Sequence, residues 1–82
     1  MKTNKMKNFN SKMEFKLYCL KMDEQFTQQL VDADNKNKLV CKCAQNVEER
    51  RYLEDLSWKF DGISTFGGNK AYQMVKLFTP NN

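Results

Sequence analysis

The 82-residue chain contains no histidine, and this absence limits the chemistry that the protein can perform. Histidine is the side chain whose ordinary pKa lies closest to neutral pH, so the commonest general acid or base of enzymes is missing. A cysteine nucleophile would also lack the imidazole that usually activates it. The glycine turn at 67–69, "GGN", is unlike the GxxxxGK loop that binds phosphate. The sequence therefore predicts a protein that is not an enzyme, with no catalytic residues and no cofactor.

Cysteine is also scarce, with Cys19, Cys41 and Cys43 as the only three in the chain. Zinc sites need four ligands, usually from cysteines separated by two to four residues or from histidines. An odd cysteine count also argues against the disulfide framework of a small secreted protein. We therefore expect no metal site and three free thiols that pack as small buried side chains.

Long hydrophobic runs are absent as well. No stretch approaches the roughly 18 apolar residues of a membrane span, and the first residues lack the apolar region of a secretory signal. One proline and three glycines leave few places for a flexible linker. We therefore expect a cytoplasmic protein without membrane contact, organised as a single compact domain over residues 13–82.

Positive charge is concentrated at the beginning of the chain. Residues 1–12, "MKTNKMKNFNSK", contain four lysines and no acid. The other ten lysines and arginines are balanced by ten acids, so the formal net charge of +4 lies entirely on this segment. A flexible basic arm on a balanced domain indicates a nucleic acid or an acidic surface as partner. The alternative is a solvated terminus that only improves solubility.

The pattern of apolar residues predicts an α+β fold, in which one helix packs on one face of a small antiparallel sheet of three or four strands. One sheet face would collect Leu39, Cys41 and Cys43. The segment 23–34 is ambiguous, because Phe26 and Leu30 also recur at helical spacing and a short helix is possible there. The predicted strands span 13–22, 26–33, 38–44 and 71–78, and the predicted helix spans 47–61.

The predicted helix has one residue that its apolar stripe does not explain. Asn46 is a good N-cap, and Gly62 would end the helix. At about 100° per residue, Trp58 lies roughly 140° from the stripe, on the outward side together with Val47 and Arg51. An exposed tryptophan beside an arginine is typical of an interface hot spot, so these three residues form a candidate partner-binding patch. Alternatively, Trp58 packs beneath the arm or the loop that follows the helix.

Basic and aromatic residues also interleave on the predicted sheet. Lys16 and Tyr18 would share the outer sheet face, with Lys42 beside them. Such a surface can hold a single-stranded backbone while it stacks bases, without sequence preference. Together with the arm, the predicted nucleic-acid contacts are Lys2, Lys5, Lys7, Lys12, Lys16, Tyr18 and Lys42.

In its lysine and asparagine content, its short chain and its missing catalytic residues, the sequence resembles the small early proteins of T4-type phages. This compositional resemblance implies a protein that binds and disables a host enzyme or defence factor in the host cytoplasm. The first hypothesis is a binding or inhibitor protein whose arm and sheet face contact RNA or an RNA-bound protein. The second is an inhibitor directed purely at a protein, which docks through the patch around Trp58 without nucleic-acid contact.

Overall fold

The structure, a computed structural model, describes residues 8–81 apart from the side chain of Phe66. Two helices and a three-stranded antiparallel sheet form an α+β fold, so the predicted fold class is confirmed. In chain order the elements are α1 (Lys12–Asp34), β1 (Lys38–Ala44), α2 (Val47–Asp55), β2 (Lys59–Phe66) and β3 (Asn69–Phe78). The strands lie in the order β1-β3-β2, with β3 in the centre.

The first third of the domain is one long helix, so the predicted strands at 13–22 and 26–33 are wrong. The helical alternative for 23–34 is confirmed as the second half of this helix. Ser11 caps α1, since its side chain accepts a hydrogen bond from the Glu14 backbone N–H at 3.1 Å. Asn35 ends it in the left-handed region, with φ of 58°, as asparagine readily does.

The predicted strands at 38–44 and 71–78 are present as β1 and as most of β3. They pair antiparallel, and Lys38 stands opposite Phe78. β2 is not among the predicted strands, and it forms a hairpin with β3. The hairpin turns through Gly67 and Gly68, whose φ angles of 62° and 84° are those that two-residue hairpin loops require.

The second helix begins where predicted but ends earlier than the predicted span of 47–61. Asp55 is its last residue, and Ser57 then adopts a left-handed φ of 77°. The Trp58 backbone N–H donates to the Leu53 carbonyl at 2.9 Å, as in a Schellman C-cap. A serine in this conformation is uncommon, which is why the sequence points to a later glycine instead. Trp58 therefore leaves the helix and turns towards the sheet.

Both helices contribute to one hydrophobic core on a single face of the sheet. Trp58 is only 3% exposed, and its ring meets that of Phe78 edge-on with centroids 5.8 Å apart. Aromatic pairs favour this geometry. Leu20 of α1 packs partly buried against the same cluster. The buried cluster consists of Val31, Ala44, Leu53, Trp58, Met74 and Phe78.

The face assignment of β1 is the reverse of the prediction. Lys42 pairs with Met74, and this pairing directs both towards the helices. Leu39, Cys41 and Cys43 therefore share a face as predicted, but it is the opposite, exposed face. The expectation of three buried thiols is thus wrong, because Cys41 and Cys43 are exposed and Cys19 is only partly buried.

Candidate interaction surfaces

The long helix α1 has apolar residues on two opposite sides. On the inward side, Val31 is fully buried and Leu20 packs against the core. Phe26 lies about 140° around the helix from Val31, and its side chain is exposed. We name the apolar row on this side the outer stripe. Its members are Phe15, Cys19, Met22, Phe26, Leu30 and Ala33.

Four large side chains make the outer stripe a continuous apolar surface. Phe15, Met22, Phe26 and Leu30 are 51%, 45%, 60% and 52% exposed, and Tyr18 stands beside them at 39%. The steps between successive members of the stripe are four, three, four, four and three residues. This spacing is close to the alternation of three and four along the seam of a coiled coil. The stripe is therefore suited to packing against a second helix.

The N-terminal end of the stripe is an aromatic cluster. The ring centroid of Phe9 lies 5.1 Å from that of Phe15 and 5.1 Å from that of Tyr18. Phe9 precedes the N-cap Ser11 by two residues. An apolar contact from before the cap to the first helical turn fixes the angle at which the chain enters a helix. The stripe thus extends by one ring beyond the helix itself.

A buried polar contact holds the middle of α1 against the sheet. Trp58 Nε1 donates a hydrogen bond to Glu24 Oε2 at 2.6 Å, and Lys76 Nζ lies 3.1 Å from the same oxygen. The Glu24 and Lys76 side chains are only 17% and 21% exposed, so these charge-assisted bonds are shielded from water. Burial, and to a smaller degree the charge of Glu24, raises the pKa of Tyr52 on α2.

A second contact holds the N-terminal half of α1. Lys16 Nζ lies 2.8 Å from Oε2 of Glu49, a carboxylate in the first turn of α2 that is almost fully buried. Lys16 also donates to the Gln45 side-chain carbonyl at 2.8 Å. The other Glu49 oxygen accepts the Gln45 backbone N–H at 3.0 Å. These bonds connect α1 to the start of α2.

A third contact joins the C-terminal half of α1 to the residues after β3. Gln28 Nε2 donates to the Thr79 carbonyl at 2.7 Å, and the Asn81 N–H donates to Asp32 Oδ1 at 2.8 Å. Gln28 Nε2 also donates to Asp32 Oδ1 at 2.9 Å. The bond from Asn81, followed by this bond from Gln28, lowers the pKa of the Asp32 carboxyl. All three contacts lie on the inward side of α1, so the outer stripe is held facing away from the domain.

The uncovered face of the sheet is a second apolar surface. Leu39 and Leu77 are cross-strand neighbours on it, exposed by 67% and 57%. Cys41 and Val75 form the next pair along the two strands. A shallow groove of about 360 Å³ runs beside them. Within residues 8–81, neither helix covers this face.

The residues predicted to contact nucleic acid do not form one surface. Lys16 and Tyr18 lie on a helix rather than on a strand, about 200° apart around its axis. Lys16 faces α2, whereas Tyr18 lies beside the outer stripe. Lys12 is exposed at the first position of α1. The other three predicted lysines of the arm lie outside the described residues: Lys2, Lys5 and Lys7.

Lys42 also differs from its predicted position on an outer sheet face. Its ammonium lies 3.5 Å from an Asp23 carboxylate oxygen and 6.0 Å from the centre of the Trp58 ring. Both neighbours belong to the helix side of the sheet. Lys42 therefore helps to join β1 to α1 and does not stand with Tyr18 on an open face.

The predicted partner-binding patch is not assembled. Val47 and Arg51 are exposed on α2, but Trp58 lies in the core. The idea of an outward tryptophan is wrong because α2 ends before Trp58. The alternative, that Trp58 is a packed side chain, is correct, although it packs beneath α1 rather than beneath the arm or the hairpin loop.

Other signs of function are few. Among residues 8–81, no three histidine, cysteine, aspartate or glutamate side chains are grouped so that they could hold a metal ion. No helix in this range has the length and apolar character needed to cross a membrane. No protein-family model, curated protein or solved structure matches the chain. The exposed apolar surfaces are therefore the features from which a function can be argued.

Proposed function

We propose that this protein is a non-enzymatic interaction module that binds another polypeptide through the outer stripe of α1. The observation that carries the proposal is the row of four large apolar side chains, each about half exposed, on a helix fixed by contacts on its opposite side. Single exposed apolar residues are ordinary, whereas a contiguous apolar patch is typical of an interaction site.

The exposed side chains of this surface can supply a favourable binding term. Fully burying one large apolar side chain stabilises by roughly 1.5–3 kcal/mol. Covering the exposed half of Phe15, Met22, Phe26 and Leu30 would therefore contribute about 3–6 kcal/mol on one side of an interface. A partner that buries a similar apolar area adds a comparable term. Association costs about 4–15 kcal/mol in lost translational and rotational freedom, and side-chain ordering adds to this cost. A micromolar affinity, which corresponds to about −8 kcal/mol, therefore needs the upper end of these apolar terms.

A polypeptide fits the stripe better than a nucleic acid does. The outer stripe contains no lysine or arginine, and phosphate contacts supply most of the affinity in nucleic-acid binding. The RNA hypothesis now depends on the lysines of residues 1–12, and it stays a prediction. The idea that docking disables a host enzyme or defence factor also stays a prediction.

The test is photo-crosslinking in cells that make the protein. Met22, in the middle of the stripe, is replaced by the photoreactive residue p-benzoylphenylalanine. The matched control carries the same residue in place of Lys59. Lys59 is exposed and pairs with Val75 on the sheet face away from the helices. Adducts are divided by their sensitivity to nuclease and to protease.

We expect a protease-sensitive, nuclease-resistant adduct from position 22 and little or none from position 59. Adducts from position 59 alone would place the docking surface on the open sheet face and contradict the proposal. Nuclease-sensitive adducts would favour the RNA hypothesis instead. The absence of any adduct from position 22 would also overturn the proposal that the outer stripe binds a polypeptide.

A further inference from the structure

We propose that Cys41 and Cys43 form a two-thiolate site that binds one copper(I) ion on the open sheet face. Copper(I) is a soft ion that favours thiolate ligands, and two of them, placed in line, complete its coordination. Each thiol releases its proton when it binds the ion. The site lies on β1, away from α1, so it goes beyond the proposed function and does not depend on the outer stripe.

The two thiols are exposed, although free cysteine is among the residue types most often buried. Cys41 and Cys43 share the face of β1 that neither helix covers within the described residues. Cys19 lies on another element and is partly buried. A pair of thiols on an open face can be reached by a ligand, which thiols packed in a core cannot.

The spacing of the pair fits a bridging ion better than a disulfide. Residues two apart in a strand are separated by about 6.5 Å, and their side chains point to the same face. A disulfide needs Cβ atoms about 3.5–4.5 Å apart, so the two sulfurs cannot join unless the backbone moves. A metal–sulfur bond is about 2.3 Å long in zinc sites. One ion between the two sulfurs therefore spans the gap.

The number of donors selects the metal. In the part of the chain that the structure describes, no third cysteine, aspartate or glutamate joins the pair as a possible ligand, and the sequence has no histidine. Structural zinc sites need four protein ligands. Magnesium and calcium need oxygen ligands instead of sulfur. Among these common ions and copper(I), only copper(I) is satisfied by two thiolates.

The neighbours of the pair suit a bound ion. Cys43 Sγ lies 3.8 Å from the Ser64 hydroxyl, which can donate a hydrogen bond to a thiolate. Lys59 stands in the same cross-strand row as Cys41, with Val75 between them. Two thiolates and one copper(I) carry a single net negative charge, and the flexible ammonium of Lys59 on the same face favours it.

The experiment is a competition for copper(I) in oxygen-free buffer between the purified, reduced full-length chain and the coloured chelator bicinchoninate. We expect the wild type to withdraw one copper(I) per chain and to gain a thiolate-to-copper absorption band in the ultraviolet. Cys41→Ser and Cys43→Ser should each bind at least about a hundredfold more weakly, because two linked ligands gain roughly 10²–10⁴ over separate ones. Cys19→Ser is the matched control and should bind like the wild type.

A relocated pair tests the spacing itself. Leu39 is 67% exposed and lies two residues before Cys41 on the same face. Leu39→Cys combined with Cys43→Ser moves the pair along β1, and copper(I) binding should return. Val40 packs against the core on the opposite face. Val40→Cys combined with Cys43→Ser puts the two thiols on opposite faces and should bind as weakly as Cys43→Ser alone.

The proposal is overturned if the wild type leaves copper(I) with the chelator, if Cys19→Ser weakens binding as much as the other two single variants, or if the relocated pair does not bind. One copper(I) per two chains would also overturn it, because the ion would then join thiols of different molecules. Circular dichroism confirms that each variant is folded. Crosslinking from position 22 by a chain that binds no copper(I) removes the metal site only and leaves the proposed function intact.

Discussion

Among single residues, Trp58 connects the sheet, the core and the long helix α1. Its ring packs on Phe78 in the core, and its indole N–H donates to Glu24 of α1. Glu24 in turn holds Lys76 of the central strand. One side chain therefore supports both the apolar core and the polar contact that orients α1.

We expect Trp58→Ala to lower the free energy of unfolding by about 3–5 kcal/mol, because it leaves a cavity and removes a donor from a shielded carboxylate. Urea denaturation followed by circular dichroism measures this loss. Arg51→Ala, at an exposed position on α2, is the control and should stay within about 0.5 kcal/mol of the wild type. A Trp58→Ala chain as stable as the control would contradict the burial of the indole.

Residue types predicted the N-cap of α2 correctly, but they placed its C-terminal end at Gly62 and left Trp58 on the outward side. Asn46 caps α2 as expected, because capping depends on a few neighbouring atoms, and its side chain accepts from the Glu49 N–H at 2.9 Å. The exposure of Trp58 depended on where the helix ends. The helix ends through Ser57 in a left-handed conformation. Serine rarely adopts this conformation, so its presence in the sequence does not indicate a helix end.

At the scale of elements, α1 shows how a helix can imitate a strand. Met13, Phe15, Leu17 and Cys19 alternate with polar residues, which is the usual mark of a half-buried strand. Steps of two residues turn a helix by about 200°, so the alternating residues fall on its two opposite sides. A helix that is apolar on both sides therefore has an apparent period of two. A single-sided helix would have been recognised by its period of 3.6.

The two sides of α1 are energetically distinct, and adjacent residues test this. Val31 is fully buried, whereas Leu30, its neighbour on the outer stripe, is half exposed. Val31→Ala should lower the free energy of unfolding by roughly 2 kcal/mol. Leu30→Ala, the larger truncation, should change it by less than about 0.5 kcal/mol at concentrations where the chain is monomeric. Urea denaturation of dilute samples measures both, and the reverse order would mean that α1 is rotated about its axis.

Strands were predicted correctly where the local pattern of apolar residues is enough to identify them. β1 and β3 have the expected positions, but the buried face of β1 was reversed because Leu39, Cys41 and Cys43 are more apolar than Lys42. Pairing with Met74 places Lys42 on the helix side of the sheet, where Lys42 forms an ion pair with Asp23. β2 was missed because a helix extended over its first residues was locally consistent.

In the whole molecule, the domain has one small core, and many of its large apolar side chains remain exposed outside that core. A domain of this size buries only about 60% of the surface of its unfolded chain, so its margin of stability is small. Here the sheet covers one side of α1 and leaves the other side open. A bound partner would cover it, and would add to the stability of the fold through mass action.

If the outer stripe is covered when the protein works, a cysteine placed in the stripe is protected from alkylation in cells. A chain with Cys19→Ala, Cys41→Ser and Cys43→Ser carries a single new thiol from either Met22→Cys or Lys59→Cys. Each thiol is labelled with a cell-permeant maleimide in producing cells and in a dilute purified sample. We predict labelling at position 22 to be at least about tenfold slower in cells, which corresponds to a stripe covered nine times in ten. The labelling rate at position 59 should differ little between cells and the purified sample. Equal labelling rates at position 22 in cells and in the purified sample would mean that no partner covers the stripe.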